Sequence, residues 1–150
     1  MTKNIFDTDA NRSLLNRLEN VHEETKPLWG IMNASQMVTH CQKPLDVATG
    51  KLTLKHTLIG LLFGRMAKND FLRRDSFKRN MPTAPQFKIK NTPDFKVEKD
   101  ILKNLISDFG QKGPKIIQNK THPFFGKMND EEWGILQYKH LDHHLTQFGA

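Results

Sequence analysis

The stretch that most constrains this chain is Asn129 to Phe148, NDEEWGILQYKHLDHHLTQF, which reads as one long helix. Asn129 supplies a cap, Glu132 three residues on completes a capping-box-like start, and Asp130 and Glu131 sit on the positive end of the helix dipole. Trp133, Leu136, His140 and His144 then recur at spacings of three, four and four, which is one face of a helix. That face begins apolar and ends with two imidazoles one turn apart, so a rigid backbone aims two ring nitrogens at a common point. Such pairs also arise by chance, and the pair alone leaves metal ligation and plain packing both open.

Other helices announce themselves in the same way. Asp7, Thr8 or Asp9 can cap a first helix with Ala10, Leu14, Leu18 and Val21 as its stripe, closed by Pro27. Asn33 opens a second helix with Gln36 as capping-box partner; His40 and Cys41 lie on it, Pro44 is expected to kink or break it, and Gly50 ends it. A third helix is expected from about Leu54 to Met66, with Leu58, Leu61 and Leu62 toward the core. Gly60 and Gly64 each cost that helix roughly 1 kcal/mol relative to alanine, which predicts close approach of a neighbouring helix or room for a ligand. Phe71 to Pro93 reads as a long loop with a short extended piece at Phe87 and Ile89. The fourth helix spans about Asp94 to Phe109, with Val97, Ile101, Leu105 and Phe109 as its stripe and Leu102 and Ile106 beside it, terminated by Gly110 and Gly113-Pro114. Strand signals are too sparse for a sheet of any size, so the class is all-α, most simply a bundle of four or five helices with long connecting loops.

A nine-residue lead-in occurs twice. TKPLWGIMN, Thr25 to Asn33, precedes the second helix, and THPFFGKMN, Thr121 to Asn129, precedes the last; five of the nine positions are identical and Trp29 matches Phe125. Proline and glycine set a turn, an aromatic packs under it and asparagine caps the helix. His40 is seven residues past its cap and His140 eleven past its own, two and three turns, or about 20° to either side of the cap direction. If the two turns seat their helices equivalently, His40 faces the same interior as His140 and His144.

Composition narrows the partners. With 23 Lys plus Arg against 16 Asp plus Glu, the net charge is +7, which favours anionic partners without choosing between nucleic acid and a small acid. The densest basic stretch, Arg65 to Arg79, is either a solvated loop or a pocket rim that attracts an anionic substrate. No helix-turn-helix, zinc-finger or RNA-binding signature is present. One cysteine rules out an internal disulfide framework, the start MTKNIFDTD carries no apolar signal-peptide core, and the longest apolar run, Leu58 to Gly64, is too short to span a bilayer. At 150 residues the expectation is one domain, residues 1–150, in the cytoplasm and off the membrane.

A histidine on an early helix joined to a C-terminal H-x-x-x-H followed by x-x-Q resembles the DinB/YfiT-like metalloenzyme superfamily. The strings PLWGIMNASQMVTHC and HPFFGKMNDEEWGILQYKHLDHHLTQFG, with the loop NMPTAP, resemble one branch more closely, a bacterial domain-of-unknown-function family. The resemblance covers nearly the whole chain. It implies a four-helix bundle holding a divalent metal near one end, zinc or nickel first and manganese or iron next, through His40, His140 and His144, with Gln147 in the place of the family's glutamine. Characterised relatives include thiol-dependent S-transferases and an isomerase that uses a low-molecular-weight thiol. This chain departs from the pattern in having Thr146 where a glycine is usual, and His143 adds a further candidate ligand.

Three histidines with an open position match catalytic rather than structural metal sites. Against that stands a buried histidine cluster hydrogen-bonded to Gln137, Gln147 or backbone. Cys41 points about 100° away from His40 and reads as core. His22, His56 and His122 lack partner spacing and read as surface or structural, and Trp29 and Trp133 as packing. Two functional classes follow. One is a metal-dependent transferase or hydrolase acting on a small anionic or thiol-bearing molecule, a homodimer being compatible with it. The other is a non-catalytic basic protein with structural histidines, nucleic acid being its less favoured partner.

Overall fold

Both asparagine caps form. In the computed structural model, which describes residues 2–55, 57–81 and 83–150 without the side chain of Leu61, Asn33 and Asn129 each accept the backbone N–H three residues on. The side chains of Gln36 and Glu132 return a bond to the cap N–H, closing two capping boxes. The helices they open are α2, Ala34–Ala48, and α5, Asp130–Gln147; the others are α1, Thr8–Glu19, α3, Leu58–Arg73, and α4, Phe95–Lys112. Short 3-10 turns occur at Pro85–Phe87 and Gly113–Ile116, and β1, Thr121–His122, pairs antiparallel with β2, Gly126–Lys127. The chain is thus mostly helical with very little strand. Among the described residues, no helix is long and apolar enough to cross a membrane. His56, Leu61's side chain and Pro82 of the NMPTAP loop lie outside the description.

Helices α1, α2, α4 and α5 pack as a ring, α1 against α4 and α5, and α2 against the same two. Ala10, Leu14 and Leu18 are buried within α1, and Val21, also buried, lies past its end, since the helix closes at Glu19 and not at Pro27. Leu45, Ile106, Phe109, Trp133 and Leu141 meet them from the other helices. Each such side chain contributes roughly 1.5–3 kcal/mol by leaving water. Gly110 lies inside α4 instead of ending it, because a Cβ there would stand 2.7 Å from Asn11 Cγ. Asn11 uses that closeness to donate to the carbonyls of Ile5 and Ile106 at 3.0 and 2.8 Å. The helix ends at Gly113, at φ 59.

Further expectations need correction. Phe87 lies in a 3-10 turn and not in an extended piece with Ile89. Pro44 sits within an unbroken α2, since the helix continues to Ala48 before Gly50 takes φ 76. On α4, Leu102, Leu105, Ile106 and Phe109 are buried but Val97 and Ile101 are exposed, so the apolar face is rotated away from the expected stripe in the first half. The third helix starts and ends later than expected, and Leu58 and Leu62 face outward at 79% and 78% exposure. Its contact face is made by glycine: a Cβ on Gly60 or Gly64 would come within 2.7 or 2.0 Å of the Phe124 carbonyl oxygen. The close neighbour is therefore the second lead-in turn and not another helix.

Helix α3 is tied to α5 at its C-terminal end. Lys139, almost fully buried, donates to the carbonyls of Phe71 and Leu72 at 3.2 and 2.9 Å and to that of Arg74. An ammonium among the last carbonyls of a helix satisfies acceptors that have no intrahelical partner. It also fixes where the following loop departs.

Candidate metal centre

Capping fixes the phase of α2 and α5, and phase brings three imidazoles together. Ring centroids lie 5.1 Å apart for His40 and His140, 4.7 Å for His40 and His144, and 4.7 Å for His140 and His144. One ligand nitrogen from each falls within 4.8 Å of the other two. This is a cluster of three histidines that could hold a metal ion.

Hydrogen bonds on the far side of the rings set which nitrogen faces inward. His40 Nδ1 lies 2.9 Å from the Phe87 carbonyl oxygen. A carbonyl only accepts, so Nδ1 carries the proton and Nε2 keeps its lone pair. Gln147 Nε2 donates to the Trp29 carbonyl at 2.7 Å, which turns Gln147 Oε1 to His144 Nδ1 at 2.8 Å. His144 is therefore also protonated at Nδ1, with Nε2 bare. His140 Nε2 stands 3.1 Å from His40 Nε2, and its Nδ1 is buried without a partner among the described residues. Orienting a ligand imidazole through its other nitrogen is how metal sites fix tautomer and direction.

The electrostatics favour neutral rings. Burial pushes the pKa of His40 down, and burial with the charges of the neighbouring histidines pushes His140 well below the ordinary range. His144 falls to about 3, again chiefly through burial and then through His40, against the raising effect of Gln147. Neutral imidazole is the form that ligates.

A tetrahedral ion with bonds of about 2.0–2.1 Å to nitrogen spaces its ligand nitrogens roughly 3.3–3.4 Å apart. The 3.1 Å pair is close to that spacing. The donor set is all nitrogen, which suits zinc or nickel better than magnesium or calcium. The residues present fit a transition metal.

Aromatic side chains wall the cluster. Phe87 meets His40 edge-on at 6.3 Å, Phe77 meets His140 at 5.9 Å and His143 at 5.7 Å, and Trp29 meets His143 at 5.6 Å. The loop between α3 and α4 supplies Phe77 and Phe87. It is strapped to the start of α2 by Gln36, which donates to the carbonyls of Ile89 and Asn91, and by Ser35, which donates to that of Pro93.

Other candidates fall elsewhere. His143 packs beside His144 at 5.1 Å but is not one of the three convergent residues. Cys41 is buried, its thiol pushed up by burial, with Sγ 3.7 Å from Met37 Sδ. Gln137 donates to the Pro44 carbonyl and not to a histidine. His122 is structural: its Nδ1 accepts the N–H groups of Phe124 and Phe125, and its ring lies 5.2 Å from Trp133. Thr146 turns to α1, accepting from Arg17, so the departure from the glycine pattern does not touch the histidines. Of the basic stretch, Arg73 and Arg74 are used at the end of α3, on the Asn69 carbonyl and on Asp70. Only its far end, Phe77 and Arg79, reaches the cluster. The Phe87 carbonyl, Phe77 and the stacking of Arg79 on Trp29 carry no sequence spacing that could have announced them.

The profile of the family described as "Protein of unknown function (DUF1569)" matches residues 3–150, and the chain belongs to that family. No curated protein and no solved structure matches it.

Proposed function

We propose that this member of a family without an assigned activity is a divalent-metal protein whose ligands are His40, His140 and His144. On this reading residues 1–150 form one domain, a four-helix bundle of the DinB/YfiT-like type. The protein is a cytoplasmic metal-dependent enzyme, a thiol transferase or hydrolase, acting on a small anionic or thiol-bearing substrate. The observation that carries the proposal is the orientation of the rings. His40 and His144 both spend their Nδ1 protons on carbonyl oxygens, leaving Nε2 bare on each, with that of His40 3.1 Å from His140 Nε2 and one ligand atom of each ring within 4.8 Å of the others.

A structural cluster would have to satisfy those two lone pairs with protein. His140 Nε2–H could donate to one of them, and the other would need a second donor. A cation satisfies all three at once.

A divalent ion held there would supply Lewis acidity toward a substrate oxygen or sulfur. The chain's own contribution is positional. Gln147 and the Phe87 carbonyl hold two imidazoles in one tautomer, α2 and α5 hold their separation, and Phe77, Phe87 and Trp29 exclude water from one side.

Elemental analysis of untagged protein purified without chelator tests this. About one zinc or nickel per chain is expected, lost in His140→Ala and in His144→Ala and largely kept in His143→Ala. A wild-type chain that stays metal-free after incubation with zinc, nickel and manganese would remove the proposal.

A further inference from the structure

Beside the histidine cluster, Arg79 and Trp29 carry N–H donors that no acceptor among the described residues uses. The Arg79 guanidinium carbon lies 4.2 Å from the centre of the Trp29 ring, and that ring lies 5.6 Å from His143, itself beside His144. Attraction to the ring face holds the guanidinium near Trp29 but uses none of its five N–H donors. Among the described residues Arg79 has no carboxylate partner, whereas Arg17 and Arg74 each have one. Trp29 adds an indole N–H that is buried and unpartnered. Asp142, the carboxylate felt by His143, is already bound to Arg17.

Placement of Arg79 is built in. Asn80, directly after it, takes φ 56, a left-handed conformation that asparagine tolerates and that turns the chain there. Phe77, two residues before, is pinned between Phe71, His140 and His143. Trp29 is pinned from below, since its carbonyl accepts from Gln147. Both partners of the stack are therefore fixed by contacts that also orient the histidines.

We propose that Arg79, laid on Trp29 beside His143, is the carboxylate-binding residue of the three-histidine site, and that the substrate is a small carboxylic acid. This rests on the metal reading above and narrows its substrate class. A planar guanidinium fork matches a carboxylate with two parallel N–H···O bonds, and one face against an aromatic ring leaves the edge free to make them. A short acid suits the site, since contacts of 4.2, 5.6 and 5.1 Å lead from the guanidinium over Trp29 and His143 to His144. The neighbouring Arg73 and Arg74 take no part, being committed to α3.

The test is titration of the zinc-loaded and the metal-free full-length protein with succinate, its neutral diamide and inorganic phosphate. The readout is the Trp29 indole N–H resonance, assigned by Trp29→Phe. Succinate is expected to shift that resonance and the diamide to leave it in place. Arg79→Gln should weaken succinate by about tenfold or more, as loss of a charge-assisted pair does, and Arg79→Lys should recover part. Metal content should be the same in both variants, and Arg73→Gln with Arg74→Gln should bind succinate as wild type does. Equal succinate affinity in Arg79→Gln and wild type overturns the proposal, as does phosphate binding there while carboxylates do not. If the chain takes no metal yet succinate still moves Trp29 through Arg79, the anion site stands and the metal reading falls. If metal binds and no carboxylate moves Trp29, the reverse holds.

Discussion

Thr25–Asn33 and Thr121–Asn129 share residues and the backbone conformation of their glycine and cap, while the second alone closes as an antiparallel strand pair. Gly30 and Gly126 take φ 81 and 75, and the caps Asn33 and Asn129 take φ/ψ of −81/173 and −80/172. Their surroundings differ. The first turn is joined to the end of α5: Leu28 N–H donates to the Gln147 carbonyl and the Trp29 carbonyl accepts from Gln147 Nε2. Its aromatic then lies over His143 and under Arg79. The second turn carries α3: its Phe124 carbonyl fills the space over Gly60 and Gly64, and Phe125 stacks on Phe71 at 5.7 Å. One local motif thus serves a candidate site at one place and a helix dock at the other. Local sequence sets how the turn caps its helix, and the partner across from it sets what the turn is for.

Gln147→Leu should separate the two turns most sharply. It removes the bond that orients His144 and the one that anchors Trp29. Loss of such an outer partner lowers metal affinity by about 10–100-fold, measurable by competition with a chromophoric chelator. Hydrogen exchange should rise around Thr25–Asn33 and not around Thr121–Asn129.

Gly64→Ala attacks the other turn. Its Cβ would stand 2.0 Å from a backbone oxygen that cannot rotate away. Overpacking of this kind costs about 1–3 kcal/mol. A lowered thermal midpoint with metal affinity nearly unchanged is the expected result. A matching loss of metal would show that the two ends are coupled through α5.

Acid should act on the first turn's end of the molecule. His40, His140 and His144 have folded-state pKa values below the unfolded value, so the unfolded chain binds more protons once pH falls below about 6.5. Stability of the metal-free protein is then full above pH 6.5 and declines below it, by about 1.4 kcal/mol per pH unit for a ring that stays neutral, as His144 does down to about 3. Urea unfolding at pH 7.5, 6.0 and 5.0 measures this, and a flat profile would contradict the buried neutral rings.

The smallest contrast is between Gly30→Ala and Gly126→Ala. Both force alanine into the left-handed region at about 1–2 kcal/mol. Only Gly30 also meets a neighbour, with a Cβ 2.7 Å from Gln147 Nε2, while nothing lies within 4 Å at Gly126. The two should lose similar stability, and Gly30→Ala alone should loosen metal.

Much of this was legible in the sequence. The two capping boxes and the α1 stripe follow from phase, because 3.6 residues per turn counted from a fixed cap gives direction without tertiary knowledge. Phase also turned His40 toward the interior of His140 and His144 on the condition that the two lead-ins seat their helices alike, and packing made the contact. What failed was any inference that depended on who the neighbour was. Leu58 and Leu62 look like core by composition, yet two glycines let a backbone turn take the face next to them. Val97 and Ile101 fit a helical stripe as well as Leu102 and Ile106 do, and only packing against α1 and α2 chose between the two faces.

The candidate site divides in the same way. Sequence alone named the three histidines, through the family resemblance and through the facing of rigid helices whose rotation their caps set, and packing brought their nitrogens to one point. Tertiary structure decided everything that acts on those nitrogens from outside: the Phe87 carbonyl on His40, Gln147 between His144 and Trp29, and Arg79 on the Trp29 face. These are contacts between segments distant in sequence, made partly by main-chain atoms that every residue carries. A backbone carbonyl has no signature in a sequence, and a loop arginine has no periodicity, so their roles exist only once the chain has folded.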